Sequence, residues 1–322
     1  MFLRKPSAVL RKYVEGATHA GSPLCWTCSS CDLECPVNRA TGRLRPQKIL
    51  RLANLGLLEE LIQLPEIWYC QLCRRCSQIC PNGVQPDKVI GFAREEALRL
   101  GVVVPGKIQQ YYALFAAFQR VRWQAAAICQ HADLEPVSDR QWHRWLENPV
   151  IESRPPIHSS DLFKGNAAFK TTVDKTGATI CFTCGECSSG CPISGDRDVF
   201  DPRVIVRTAM LGLTGELLRS PSLWLCLDCR RCTEGCSQTV KGHQLISELQ
   251  QLAIEGRFVD AGIRWRLAKA YKIIYPRLLD AVDDLLGLQH GQAVRPRALQ
   301  ADKRLAAEFL QHGCAHAVAD AL

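Results

Sequence analysis

The chain has 322 residues, 47% hydrophobic and 22% charged, with a formal net charge of +8; that is room for two domains and too ordinary a balance for wholesale disorder or a collagen-like repeat. Its eighteen cysteines are the abnormal count. In a chain this long without a secretory signal, they point to metal ligation or redox chemistry in a reducing cytoplasm, not to a disulfide framework.

Taken in chain order, Met1 to Gly21 carries Arg4, Lys5, Arg11, Lys12 and His19 and lacks the apolar core of a signal peptide, so 1–21 reads as an N-terminal arm. Cys25, Cys28, Cys31 and Cys35 follow as Cys-x2-Cys-x2-Cys-x3-Cys. Pro46 suits a first helical turn, where its missing N–H costs little. Ile49, Leu52, Ala53, Leu57 and Leu61 then recur at three- and four-residue steps, which predicts one amphipathic helix stopping at Pro65. Trp68 precedes a second run, Cys70, Cys73, Cys76 and Cys80. Asp87 is expected to cap a helix over Lys88 to Leu100 that Gly101 terminates.

The connector, 102–177, starts helix-like at Gln109 to Gln130 and loosens through Asn148-Pro149 and Arg154-Pro155-Pro156 to Gly165, as a linker does. Its most apolar stretch, Ile108 to Phe118, contains Gln109 and Gln110 and is closed off by Lys107 and Arg120. A membrane span takes about 20 mostly apolar residues, so no transmembrane segment is expected. The cysteine pattern then returns as Cys181, Cys184, Cys187, Cys191 and Cys226, Cys229, Cys232, Cys236. The extension 258–322 is helix-like from Phe258 to Leu286 and ends in an alanine-rich arm, Gln289 to Leu322. The amphipathic stretches of connector and extension either pack on the cysteine-rich units or dock a partner or membrane surface.

The return is a duplication. Cys181 follows Cys25 by 156 residues, and Cys226 follows Cys70 by 156. Pro46, Arg51, Gly56-Leu57, Pro65, Trp68 and Arg74-Arg75 reappear in the same register at Pro202, Arg207, Gly212-Leu213, Pro221, Trp224 and Arg230-Arg231. No alternating strand pattern is visible, so the fold class is all-α, a tandem duplication with domains at 22–101 and 178–257.

Three cysteines at every third residue wrap a loop around one centre. A fourth followed by proline (Pro36, Pro81, Pro192) is the bacterial ferredoxin run, whose last cysteine ligates the other cluster of a pair. The expected ligands are Cys25, Cys28, Cys31 and Cys80 for cluster 1, and Cys70, Cys73, Cys76 and Cys35 for cluster 2. Cys181, Cys184, Cys187 and Cys236 would take cluster 3, and Cys226, Cys229, Cys232 and Cys191 cluster 4. Each domain would thus hold two 4Fe–4S clusters. Zinc competes, because Cys-x2-Cys pairs also build zinc ribbons, but zinc motifs come as pairs of pairs rather than triplets with a trailing fourth.

Four cubanes at about −2 each would offset the +8, which removes the case for nucleic acid. Arg74-Arg75 and Arg230-Arg231 lie between ligands, either tuning the sulfurs or forming a solvated pair. Trp68 and Trp224 read as core residues first and cluster shields second. Cys129-x-His131 and Cys314-x-His316 are too thin for a further metal site. No Gly-x-Gly-x-x-Gly, P-loop or nucleophile elbow is present, so no catalytic residue is assigned.

Each unit resembles the dicluster, alpha-helical ferredoxin domain of the C subunit of heterodisulfide reductase. It is also similar to the cluster-bearing part of iron–sulfur subunits of succinate dehydrogenase, glycolate oxidase and anaerobic glycerol-3-phosphate dehydrogenase. The likeness rests on the paired cysteine runs, their helical separator and the segment Pro65 to Cys80, echoed at Pro221 to Cys236. It implies an electron-transfer subunit of a multi-subunit oxidoreductase, cytoplasmic or peripheral to the inner face of a membrane. Its partners would be a flavin-containing subunit and a Cys-Cys-domain or quinone-linked membrane module. The alternative is a self-contained iron–sulfur reductase with a substrate site at one cluster. One departure stands out: the last run ends Cys236-Ser237 instead of Cys-Pro, which keeps the ligand and puts its loop in question.

Overall fold

The computed structural model describes residues 5–148, 160, 162 and 165–288, and these divide into two units: described residues up to 111 together with 279–288, and those of 112–278. Among the described residues every regular element is a helix. Gln289 to Leu322, Cys314-x-His316 and most of the linker around Arg154 lie outside the described residues.

In the first unit, Ser7 caps the helix Ala8–Thr18 by accepting the Leu10 N–H at 3.2 Å, and Leu10 and Val14 are buried. This helix packs on Pro46–Leu55 and Pro86–Arg99. Proline stands at the first position of both, where no N–H is needed. The expected helix up to Pro65 is two helices, Pro46–Leu55 and Leu58–Gln63. The break has a tertiary cause. Gly56 sits at φ +64° against the incoming chain, where a Cβ would lie 2.0 Å from the Ser7 carbonyl oxygen, and Ser7 N–H donates to Leu55 O at 2.9 Å.

The helix expected from Lys88 starts at Pro86 with Gln85 as its N-cap, so Asp87 is a first-turn residue and not the cap. Its carboxylate instead accepts from Ser77 Oγ and pairs with Arg74 at 3.4 Å. The Ile263–Leu286 helix contributes Asp283 to this unit, which accepts from Tyr69 Oη and pairs with Arg43 at 2.6 Å.

The second unit repeats the plan with Pro202–Met210, Thr214–Arg219 and Gly242–Glu255. The 156-residue register holds in the backbone: left-handed residues Gly21, Gly56, Gly83 and Gly101 are matched by Gly177, Gly212, Thr239 and Arg257. Gln85 N–H donates to Ala20 O in one unit, and Lys241 N–H to Thr176 O in the other, both at 2.9 Å.

One exchange between the repeats is compensated. Buried Asp32 pairs with Arg45 at 3.1 Å and accepts the Gln47 N–H at 2.8 Å at the start of a helix. In the second unit the matching residues are Ser188 and Asp201; Asp201 accepts the Arg203 N–H at 2.8 Å and the Ser188 hydroxyl. The carboxylate changes sides and the helix start keeps its anion.

The connector helix Ile108–Cys129 and the helix Ile263–Leu286 are packing elements: Phe118, Val121, Ala125, Ala270, Ile274, Leu279 and Val282 are all buried. No described helix is long and apolar enough to cross a membrane.

Candidate functional site

The four Cys-x2-Cys-x2-Cys loops share one backbone solution. Counting from the first cysteine, the third and fifth residues are left-handed in every loop: Thr27 and Ser29, Leu72 and Arg74, Thr183 and Gly185, Asp228 and Arg230. Seven of those eight are not glycine, and each costs about 1 kcal/mol or more in that region. Such strain is retained where it does something. Alternating handedness turns successive N–H groups to one side, a concavity that suits anions and iron–sulfur centres. The inward turn is visible where Leu72 N–H donates to Cys70 Sγ at 3.3 Å, Thr183 N–H to Cys181 Sγ at 3.4 Å and Asp228 N–H to Cys226 Sγ at 3.3 Å.

Each loop closes on a short helix or turn that presents the fourth cysteine. Cys35 N-caps Pro36–Thr41. Cys80 and Cys236 begin matching turns, in which Gly83 N–H donates to Cys80 O at 3.2 Å and Thr239 N–H to Cys236 O at 3.1 Å. Ser237 therefore leaves the turn after the last cysteine intact.

These pieces enclose four cavities. One is lined by Cys25, Cys28, Cys31 and Cys80, and another by Cys35, Cys70, Cys73 and Cys76. In the second unit, Cys181, Cys184, Cys187 and Cys236 line a third, with Cys232 at its edge, and Cys191, Cys226, Cys229 and Cys232 line the fourth. Pro36, Val37, Leu44, Pro46 and Ile90 complete the second cavity, and the residues 156 positions on (Pro192, Ile193, Phe200, Pro202 and Ile246) complete the fourth.

All seventeen described cysteines are free thiols. Among the described residues no three His, Cys, Asp or Glu side chains converge as a single metal ion needs. Each quartet supplies four thiols around one cavity, the donor set that a cubane iron–sulfur group takes.

Burial drives the thiols away from their charged form. It pushes Cys31 up to about 12, with Asp32 adding to the effect, and Cys232 likewise to about 12. Cys35, Cys76 and Cys226 are raised by the same desolvation, and neighbouring cysteines of their own quartets raise them further. Such sulfurs ionise when a metal cation replaces the proton, so loading releases protons into water. The opposite edge is open. Cys28 and Cys184 are exposed, and Ser30 Oγ, 3.4 Å from Cys28 Sγ, lowers the Cys28 pKa. Beside them Trp26 is 75% and Phe182 57% exposed, at matching positions.

The arginines between ligands divide their work. Arg74 and Arg230 line their cavities, Arg74 while paired to Asp87, and Arg75 bonds Glu34 with Nε at 2.8 Å. In the first repeat, then, the pair is not simply solvated. Trp68 and Trp224 are buried and line none of the four cavities, so the core reading holds for both. Cys129 is buried and His131 exposed, and the two do not assemble a site. Two buried arginines, Arg94 and Arg122, give no sign of themselves in the sequence, since neither lies in a cysteine motif nor recurs at the 156-residue shift.

The 4Fe-4S dicluster domain family matches residues 22–84 and 177–240. The C subunit of the H(2):CoB-CoM heterodisulfide,ferredoxin reductase of Methanothermobacter thermautotrophicus is 38% identical over 81 residues, covering 25% of this chain and 43% of that protein. The iron-sulfur C subunit of the CoB–CoM heterodisulfide reductase of Methanopyrus kandleri is 33% identical over 114 residues, 35% of this chain and 58% of that one. A probable glycolate oxidase iron-sulfur subunit of Bacillus subtilis is 30% identical over 132 residues, 37% of this chain and 29% of its own length. The chain spans about half the length of the heterodisulfide reductase relatives it matches. It therefore carries two tandem 4Fe-4S dicluster domains, similar to that of the C subunit of heterodisulfide reductase, and with them the place of four clusters.

Proposed function

We propose that the chain is the electron-relay subunit of a larger oxidoreductase of the heterodisulfide reductase kind, passing electrons between a flavin-bearing or other donor subunit and a catalytic or quinone-linked partner. The residues would hold the clusters as follows: Cys25, Cys28, Cys31 and Cys80; Cys70, Cys73, Cys76 and Cys35; Cys181, Cys184, Cys187 and Cys236; Cys226, Cys229, Cys232 and Cys191. The clusters supply one-electron chemistry, and the chain's own residues hold, insulate and expose them. Domains at 22–101 and 178–257 carry them, with the arm, connector and extension as support. The expected setting is a reducing cytoplasm, free or at the inner face of a membrane.

The observation that carries this reading is that all sixteen loop cysteines line four cavities, each with its expected quartet and one of them with Cys232 at its edge as well. A cubane with four thiolates has no iron left open for a substrate. The open edges at Cys28 with Trp26 and at Cys184 with Phe182 are where a redox partner would approach, because an exposed aromatic beside a redox centre suits a transient interface. A self-contained reductase would need a substrate against a cluster. A cavity of about 400 Å3 in the second unit, lined in part by Arg197, Thr208, Glu216, Arg219 and Ser222, includes no cysteine in its wall.

Anaerobically purified protein should contain about sixteen iron and about sixteen acid-labile sulfide per chain and be brown, bleaching on reduction. Colourless protein with stoichiometric zinc would refute the relay, and substrate turnover by the isolated chain with an artificial donor would favour the self-contained enzyme.

A further inference from the structure

Arg94 and Arg122 are the only buried lysine or arginine side chains among the described residues, at 7% and 0% exposure. The hydrogen-bond partners of both are carbonyls, an amide and a phenol, with no carboxylate among them. A buried, unpaired cation costs several kcal/mol unless an anion lies within reach. Each guanidinium is instead spent on the chain just before a second cysteine loop. Arg94 Nε donates to Ile67 O at 2.7 Å and its Nη2 to Cys70 O, while the group lies 5.6 Å from the ring centroids of Trp68 and Tyr111. Arg122 Nη2 donates to Leu225 O at 2.7 Å, the carbonyl of the peptide that leads into Cys226. It also donates to Tyr271 Oη at 3.2 Å and lies 5.3 Å from that ring's centroid, and its Nη1 bonds Gln119. Arg122 Nε is buried with no partner.

The two arginines are not copies. The residue matching Arg94 is Gln250, whose Nε2 takes over only the Leu223 carbonyl, at 2.8 Å. The second unit draws its cation from outside the duplicated segment, from the helix Ile108–Cys129. Both units arrive at one unpaired buried cation against the entry to the second loop, by different routes. The first-loop cavity of the first unit has no arginine or lysine in its wall, and in the second unit Arg203 there pairs with Asp201 at 3.5 Å.

We infer that Arg94 and Arg122 are positioning residues that serve as resident counter-charges of the second-loop clusters, at Cys70 and at Cys226, and hold those clusters at a higher reduction potential than charge-neutral residues would. The inference rests on the cluster assignment proposed above. Reduction adds one electron to an already anionic cluster, and a fixed positive charge in a dry surround favours the more negative form.

The test compares Arg94→Gln, Arg94→Lys, Arg122→Gln and Arg122→Lys in the full chain, by iron and sulfide analysis and by redox titration followed by EPR. Each Gln variant should displace the reduction equilibrium of one cluster at least tenfold, a fall of 59 mV for a one-electron couple, while the other clusters stay in place. Each Lys variant should keep most of the original potential. Should a Gln variant lose one cluster that its Lys counterpart retains, the counter-charge role is equally supported. Unmoved potentials, equal shifts in Gln and Lys variants, or cluster loss in both would overturn it and leave the arginines as loop braces. Unaltered protein without iron and sulfide would instead sink the relay reading itself.

Discussion

The crosswise sharing of the fourth cysteine makes a stoichiometric prediction. Cys35 belongs to the first run in sequence but lines the cavity of Cys70, Cys73 and Cys76, among Val37, Leu44 and Ile90. With alanine at 35, no other thiol is left for that corner, the remaining polar side chains of the wall being the Gln71 amide and the Arg74 guanidinium, and Cys35 lies too deep for bulk water to substitute. Cys35→Ala alone should therefore lower iron from about sixteen to about twelve per chain, one cubane's worth. Cys76→Ala should do the same. Because both serve one cavity, the Cys35→Ala, Cys76→Ala double variant should still hold about twelve, whereas Cys31→Ala with Cys35→Ala should fall to about eight. The mirror set, Cys80 with Cys31 against Cys80 with Cys76, should behave likewise. Iron and sulfide assays on anaerobically isolated protein read the result. Twelve for the Cys31 with Cys35 pair and eight for Cys35 with Cys76 would mean that each run keeps its own fourth cysteine, and the crosswise reasoning would be wrong.

Other expectations are local. Gly56→Ala must place a methyl on the Ser7 carbonyl and push away the helix carrying buried Leu10 and Val14; the left-handed penalty of about 1–2 kcal/mol plus partial exposure of one such side chain gives about 3 kcal/mol or more. Gly101→Ala, at φ +69° with nothing near its would-be Cβ, should lose only the backbone penalty, and equal losses in denaturant melts would contradict the Ser7 contact. Asp32→Ser should cost about 1–2 kcal/mol; adding Arg45→Asp rebuilds the second unit's arrangement and should recover most of it, as a double-mutant cycle would show. Cys129 is buried and its thiol is pushed up to about 11 by that burial, so in loaded protein it should resist alkylation at pH 8 and react only as the pH approaches that value; rapid labelling at pH 8, read by mass spectrometry, would contradict its placement.

The duplication, the all-helical class and the grouping of sixteen cysteines were legible because ligand spacing is a local property of the chain, and the 156-residue register repeats it. What escaped was set by distant segments. Gly56 looked like one more position in a helix because nothing nearby shows that Ser7 will arrive against it. Asp87 has the chemistry of a cap, but Pro86 takes the first helical position and leaves the carboxylate to Ser77 and Arg74. The left-handed residues of the loops are invisible in their side chains: threonine, serine, leucine, arginine and aspartate sit where glycine would be easier. Only the demands of the cavity explain them.

The overall positive charge at first reads as a diffuse counterweight to four anionic clusters. The fold distributes that role unevenly. In each unit a buried guanidinium, Arg94 or Arg122, braces the entry to the second loop, whereas the first-loop cavity has its second cysteine open to water. On the counter-charge inference the two sites of a unit are electrostatically unlike, one beside a fixed buried charge and one screened by solvent. The two second-loop sites also differ from each other. Asp87, whose charge adds to the burial that pushes the Cys70 and Cys76 thiols up, is matched in the other unit by His243, whose pKa burial lowers and which carries no negative charge in either form. Asp87→His should therefore raise the potential of the Cys70 cluster by removing a nearby negative charge, and His243→Asp should lower that of the Cys226 cluster. A redox titration in which both substitutions moved the potentials the same way would break the link between these charges and the order in which the clusters fill.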